Sequence, residues 1–468
     1  MSEEHRMESD SLGEIAVPAE AYWGAQTQRA LENFPISGEV FGRRFIQALG
    51  IVKQSAAKAN RDLGLLEDEV AHAIIEAAQE VIDGEHDGQF PVDVFQTGSG
   101  TSSNMIANEV IANRAAEVLG LEVGARAVHP NDHVNYGQSS NDVIPTAMHV
   151  AAMLAVEEDL IPALETLVEA LDEQATAFDD VVKTGRTHLQ DATPVRLGQE
   201  FGGYATQIEH GIDRLERRSS DLTELALGGT ATGTGLNTHE EFPPLAIEYI
   251  SDATGIEFRE AENHFEAQSA HDAMADAHSA IRTVAGSMNK IANDLRLLAS
   301  GPRNGLGEID QPENQPGSSI MPGKINPVIA EAVNQVHKQV VGNDAAINAG
   351  AARGELDLNL YKPVIAHNFL RSASIVSNAA TVFAERFVLE LEADRDVCSQ
   401  QVERSMALAT ALNPVIGYDK AAEVAKTALK EDKTVREVVL ERGYLDEDAV
   451  DEALDTYRMT EPGVLGED

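Results

Sequence analysis

A chain of 468 residues exceeds what one simple hydrophobic core accommodates, so it divides into two or three compact regions or shares a core with partner subunits. Its 43% hydrophobic and 24% charged residues exclude a mainly disordered chain. Its 78 acidic against 35 basic residues, a formal net charge of −43, argue against nucleic acid as a partner, because a polyanion is repelled.

From the N-terminus, Glu4, Arg6, Glu8 and Asp10 interrupt any apolar run of the kind a signal peptide needs. A Gly/Ser/Thr cluster at 97–103 precedes a helical run at 105–119, and a second at 137–142 precedes a long pattern of Ala, Leu, Met, Val and Glu at three-and-four spacing over 143–179, with Pro162 as its one kink or restart. Acidic residues such as Glu157, Glu158, Asp159, Asp172 and Glu173 are scattered through this stretch and do not gather in a tail. Such a solvated acidic surface suits high salt, where the Debye length falls to roughly 3 Å at 1 M, so a halophilic source is expected.

A polar stretch at 185–194 separates this helix from the next, at about 198–219, and further helical patterns cover 270–299, 328–349 and 368–391. Other Gly/Thr punctuation falls at 228–238, and the segment 301–326 carries five Gly and four Pro with few apolar residues. A loop that long in a compact helical protein is either functional or disordered. Beyond Asp394 the helices shorten, which marks a small C-terminal domain starting near 396. The single cysteine, Cys398, excludes an intrachain disulfide and a multi-thiolate metal site. No run of about 18 apolar residues exists, so no transmembrane helix is expected. The expectation is an all-α chain of side-by-side helices with regions 1–140, 141–395 and 396–468.

The 301–326 loop ends in Gly317, Ser318, Ser319, Ile320, Met321, Pro322, Gly323, Lys324, Ile325, Asn326, Pro327. Asn326 with Pro327 reads as an N-cap and first-turn pair, and the free N–H groups of a helix start beside Lys324 suit an anion. The plain alternative is a Gly/Pro loop ending at a capped helix. Comparable starts occur at Ser99, Gly100, Thr101 and at Ser139, Ser140, Asn141, and three together with Lys324 favour anion binding. His188 is either a proton carrier or a structural loop histidine with Asp191 as its local partner. Glu331 is either a carboxylate that stabilises the helix dipole or one that sets the charge of a nearby histidine.

The run 317–327 resembles the signature of the fumarase/aspartase superfamily, and the likeness extends over nearly the whole chain. Within it, His129, Pro130, Asn131, Asp132 resembles the peripheral carboxylate site of fumarases, and Gln138, Ser139, Ser140, Asn141, Asp142, His188 and the region 412–419 are similar to fumarase forms. His133 and the stretch 328–336 look closer to aspartase, which makes aspartate ammonia-lyase the alternative. The resemblance implies a metal-free, cofactor-free hydration of fumarate to malate in the tricarboxylic acid cycle, in the cytoplasm. It also implies a homotetramer built on a central helical bundle, with each active site drawn from three subunits. Ser318 is then the base at the methylene carbon, with Lys324 and Asn326 stabilising the carbanion, and His188, working through water and coupled to Glu331, serves the hydroxyl end. Ser99, Gly100, Thr101, Ser139, Ser140, Asn141, Thr187 and Ser319 hold the carboxylates, and Arg126, His129, Asn131 and Asp132 form the second anion site.

Overall fold

A computed structural model describes residues 4–463, and helix dominates it. The periodicity reading holds for most long helices, found at Leu197–Ser219, Asp272–Leu298 and Val328–Ala351. The 143–179 pattern is one helical path in three pieces: Ser140–Leu154, a π-helical Ala155–Leu160 and Ile161–Ala177. The wider turn falls immediately before Pro162, where the ring would otherwise meet the carbonyl of the preceding turn. Exposed Glu157 and Glu158, with Asp172 and Glu173, lie on the solvent side of this path, as an acidic solvated face requires. The helix expected at 368–391 starts earlier, as Lys362–Phe383. Pro363 occupies its first turn, where a missing N–H has no intrahelical partner to lose.

By Cα proximity the chain forms two compact units, Met1–Pro162 with Asp213–Thr283 and Lys338–Ser377, and Ala163–Ile212 with Val284–His337 and Asn378–Asp468. In the first, helix Arg43–Asp62 packs against Asp68–Asp83, Ser140–Leu154 and Phe242–Thr254. Its buried run from Phe45 to Asn60 includes Leu49, Ile51, Val52, Ala56 and, unusually, Lys53. Helix Thr101–Val118 is buried on nearly every side, which suits its Met105, Ile106, Val110, Ile111 and Ala115. In the second unit the C-terminal helices share their own apolar cluster, including Leu408, Leu412, Val424, Val435, Val439 and Val450.

The 185–194 stretch, expected as a loop, is an antiparallel hairpin of Val182–Thr187 and Gln190–Arg196. Its β-branched Val182, Thr184, Thr187, Thr193 and Val195 favour strand, and Gly185 and Pro194 hide the alternation. A second hairpin pairs His5–Asp10 with Gly13–Pro18. Among the described residues no helix is long and apolar enough to cross a membrane.

Candidate active site

In the first unit, Ser139 caps helix Ser140–Leu154 through a capping box: its hydroxyl accepts from Asn141 N, and Asp142 Oδ1 accepts from Ser139 N at 2.9 Å. Asp142 is fully buried, and its Oδ2 accepts from Gly228 N at 3.1 Å and Thr230 N at 2.9 Å. One carboxylate therefore ties the helix start to the 228–230 segment. Burial pushes its pKa up, while these N–H donors and Lys53 pull the other way. Lys53 rises beneath the same turn, donating to Asn135 Oδ1 at 2.8 Å and Gln138 Oε1 at 2.9 Å. Asn104 donates to Asn135 Oδ1 and, at 3.0 Å, to Ser140 Oγ.

Of these, Asn104, Asn135 and Gln138 line a cavity of about 1110 Å³ whose walls include Asn131, Asp132, Ser139, Ser140, Met105 and Tyr136. The predicted Ser139 and Ser140 thus share a cavity with half of the predicted second anion site. Asn141 is not among its walls; its side-chain amide donates at 2.7 Å to the carbonyl oxygen of Ala231, which is. Ser99, Gly100 and Thr101 stand at the neighbouring helix start, where the Ser99 and Thr101 hydroxyls are 2.7 Å apart. Gly100 caps that helix at φ 78°, and a Cβ there would lie 2.8 Å from Ile144 Cγ2, so no side chain is tolerated.

The Pro130–Val134 turn separates this cavity from one of about 290 Å³ that takes Arg126, His129 and Asn131. The His129 ring accepts from Asn131 N at 3.3 Å and Asp132 N at 3.1 Å, capping the turn. His133, an aspartase-like feature of the sequence, accepts from His129 N at 2.9 Å and so has a local structural task. The guanidinium of Arg126 donates to Ser9 Oγ and Ser9 O, and the cavity also holds Glu8, Asp10 and Glu109.

In the second unit, Thr187 and His188 are exposed at the hairpin tip. His188 and Leu189 form its two-residue turn at φ 56° and 59°, a left-handed conformation that Asn-Gly adopts with less strain. Asp191 pairs in register with Arg186 across the hairpin, a different place from the one expected for a partner of His188. The helix after the long loop starts one residue later than expected. It is Pro327 O that accepts from Glu331 N at 3.0 Å, and Pro327 therefore occupies the N-cap. Asn326 is turned back into the loop, donating to Gly317 O at 2.5 Å and accepting from Lys324 Nζ at 2.6 Å. Ser318 Oγ accepts from Ile320 N at 3.2 Å and Met321 N at 2.9 Å. Two N–H donors on one hydroxyl oxygen favour its ionised form. Ser319 is exposed beside it, and Glu331 lies in the first helical turn.

Among the described residues no group of three or more His, Cys, Asp or Glu is placed to hold a metal ion. Cys398 is buried and its thiol is pushed up to about 12 by burial first and the Glu308 charge next, which makes it unreactive. Sequence reading missed Lys53, Asn104 and Asn135 as supports of the cavity. The available signal was a lysine inside the apolar stripe of Arg43–Asp62, where a charge is rarely buried without partners.

A family model described as Lyase matches residues 13–342, and one described as Fumarase C C-terminus matches residues 408–461. Fumarate hydratase class II of Halobacterium salinarum, a halophile, is 74% identical over 468 residues, covering 100% of both chains. A crystal structure of fumarate lyase:delta crystallin from Brucella melitensis, bound to cobalt, superposes with a TM-score of 0.95 at 47% identity, covering 98% of this chain and 100% of that one. Recombinant class II fumarase from Schistosoma mansoni gives 0.93 at 38% identity, covering 98% and 99%. With its all-α fold and both family regions in place, the chain belongs to the class II fumarases of the fumarase/aspartase superfamily.

Proposed function

We propose that the chain is a fumarate hydratase, adding water reversibly to fumarate to give (S)-malate in the tricarboxylic acid cycle. The observation that carries the chemistry is the Ser318 hydroxyl with two amide donors, in a loop where Lys324 and Asn326 are already paired. Ser318 takes a proton from the methylene carbon of malate, and the electron pair moves into the adjacent carboxylate. Lys324, Asn326 and the helix starts stabilise that extra charge. The hydroxyl then departs as water, taking a proton from His188 by way of a bridging water, with Glu331 setting the charge of the histidine. Hydration runs the same steps backwards.

Ser99, Gly100, Thr101, Ser139, Ser140, Asn141, Thr187 and Ser319 hold the two carboxylates through hydroxyls and amides, and Arg126, His129, Asn131 and Asp132 make up the second anion site. The working enzyme is a cytoplasmic homotetramer whose central region, 141–395, builds a shared helical bundle between regions 1–140 and 396–468. Each active site draws on three subunits. The Ser, Asn and Gln side chains lining the first cavity and the exposure of His188 and Lys324 support this reading. The test is absorbance at the fumarate band: it rises with malate and stays flat with aspartate. Growth with aspartate alone would mean aspartate ammonia-lyase instead, and silence with both would leave a structural protein.

A further inference from the structure

The hairpin that carries Thr187 and His188 is anchored by a buried charge cluster. Glu308, fully buried at the root of the Ser318 loop, meets two cations: Oε1 lies 2.6 Å from Arg186 Nη1, and Oε2 lies 3.3 Å from Lys183 Nζ. On a regular strand, residues 183 and 186 would point to opposite faces. The register shifts between Thr184 and Arg186, with Ala192 and Thr193 together opposite Gly185, and in this irregular stretch both side chains reach the one carboxylate. Gly185 permits the bulge, since a Cβ there would sit 2.5 Å from Thr193 O.

The cluster is closed and electrically balanced. Lys183 Nζ is 3.0 Å from Glu200 Oε1, so two cations meet two carboxylates. Arg186 Nη2 donates to Gln401 Oε1 at 2.8 Å, and Gln401 Nε2 donates to Leu306 O at 2.8 Å. Glu308 is itself fixed by its backbone, donating to Leu298 O and accepting from Asp394 N at 3.0 Å and from the Cys398 thiol. A buried ion cluster is seldom the most stabilising filling for such a space, and this one joins the hairpin to the start of the long loop. At one end Arg186 adjoins Thr187 and the strained His188–Leu189 turn, and at the other Glu308 and Leu306 begin the loop that ends in Ser318.

We propose that Glu308 is a positioning residue for proton transfer: through Arg186 it fixes the tip of the His188 hairpin against the root of the Ser318 loop and cancels the guanidinium charge carried two residues before His188 in the chain. This rests on the reading above that His188 exchanges the proton at the hydroxyl end. Removing the carboxylate leaves one positive charge in excess among Lys183, Arg186 and Glu200. An excess positive charge favours the neutral imidazole.

The test is Glu308→Gln, which keeps the shape and an acceptor but not the charge. The expected result is a kcat at least about tenfold lower with KM within about threefold, and a limb of the kcat/KM profile displaced by about half a pH unit or more to lower pH. A folded variant with wild-type kcat and profile overturns the proposal. So does a joint fall of kcat, affinity and melting temperature with the limb unmoved, since that is a structural role alone. If Glu308→Gln does not fold, Gln401→Leu decides, because it frees Arg186 Nη2 and Leu306 without burying a net charge. A smaller fall in kcat at constant KM supports the proposal, and wild-type kcat overturns it. His188→Asn runs in parallel. Full activity there means the catalytic reading has failed and takes this inference with it, whereas an impaired His188→Asn beside a normal Glu308→Gln removes this inference alone.

Discussion

Lys53 shows how a single side chain in a helix core reaches the turn before Ser139 and Ser140. It is buried with its Nζ under the turn that presents Ser139 and Ser140, and burial lowers its pKa from 10.5 to about 7, against the pull of Asp142. Lys362, also buried, is lowered to about 7 for the same reason. In the unfolded chain both lysines hold their protons up to about pH 10, whereas in the fold they release them near 7. The unfolded state therefore binds more protons at these two groups between these limits, and their contribution to stability rises with pH across that window. Urea midpoints measured from about pH 7 to about pH 9.5 should climb, and Lys53→Met should roughly halve the slope by removing one of the two groups. The same variant strips the donor from Asn135 and Gln138, so KM for malate should rise about tenfold, equivalent to ~1.4 kcal/mol. A flat stability profile in the wild type would show that both lysines stay charged in the fold.

At the scale of elements, the loop before helix Val328–Ala351 is held by very little. A Cβ on Gly317 would lie 2.1 Å from Lys324 O and 2.9 Å from Asn326 N, so the backbones of the two segments of the loop approach too closely at Gly317 for a side chain there. Gly317→Ala must push them apart, breaking the Asn326 to Gly317 bond and moving Ser318 from its position. The expected loss is about a hundredfold or more in kcat/KM with little change in melting temperature, because the loop buries almost no apolar surface. Retained turnover would mean that the loop geometry is not the active one. The glycine and the serine were legible in sequence as part of a signature, and the long helices were legible because their apolar spacing is a local property. The hairpin at Val182–Arg196 was not, because Gly185 and Pro194 interrupt its alternation and a register shift opposite Gly185 breaks it again. The Pro327 cap was misplaced by one residue for a related reason: Asn326 is an excellent capping residue that is held elsewhere, by Lys324 and Gly317. Partners distant in sequence, such as Lys53 with Gln138 or Arg186 with Glu308, leave no periodic trace.

For the whole molecule, a net charge of −43 carried on exposed helical faces must be screened, and the kinship with a Halobacterium salinarum enzyme fits a high-salt setting. The residues proposed for the site fall in both compact units of the chain. Ser139, Ser140 and Asn141 belong to one, and His188, Ser318 and Lys324 to the other. If His188 and Ser318 of one working site come from different subunits, chains carrying His188→Ala and Ser318→Ala should rescue each other on co-assembly. An intact site then takes its histidine from the serine variant and its serine from the histidine variant. With random equal mixing in a symmetric tetramer each choice has a chance of about one half, so about a quarter of sites regain both groups. If one chain supplied both residues, every site in every mixed tetramer would lack one of them. The measurement is fumarate formation after co-refolding the two inactive variants at equal ratio, with mixed tetramers verified by a mass or affinity tag on one chain. Activity near a quarter of wild type is expected, and activity no greater than that of either parent would place both groups on a single subunit.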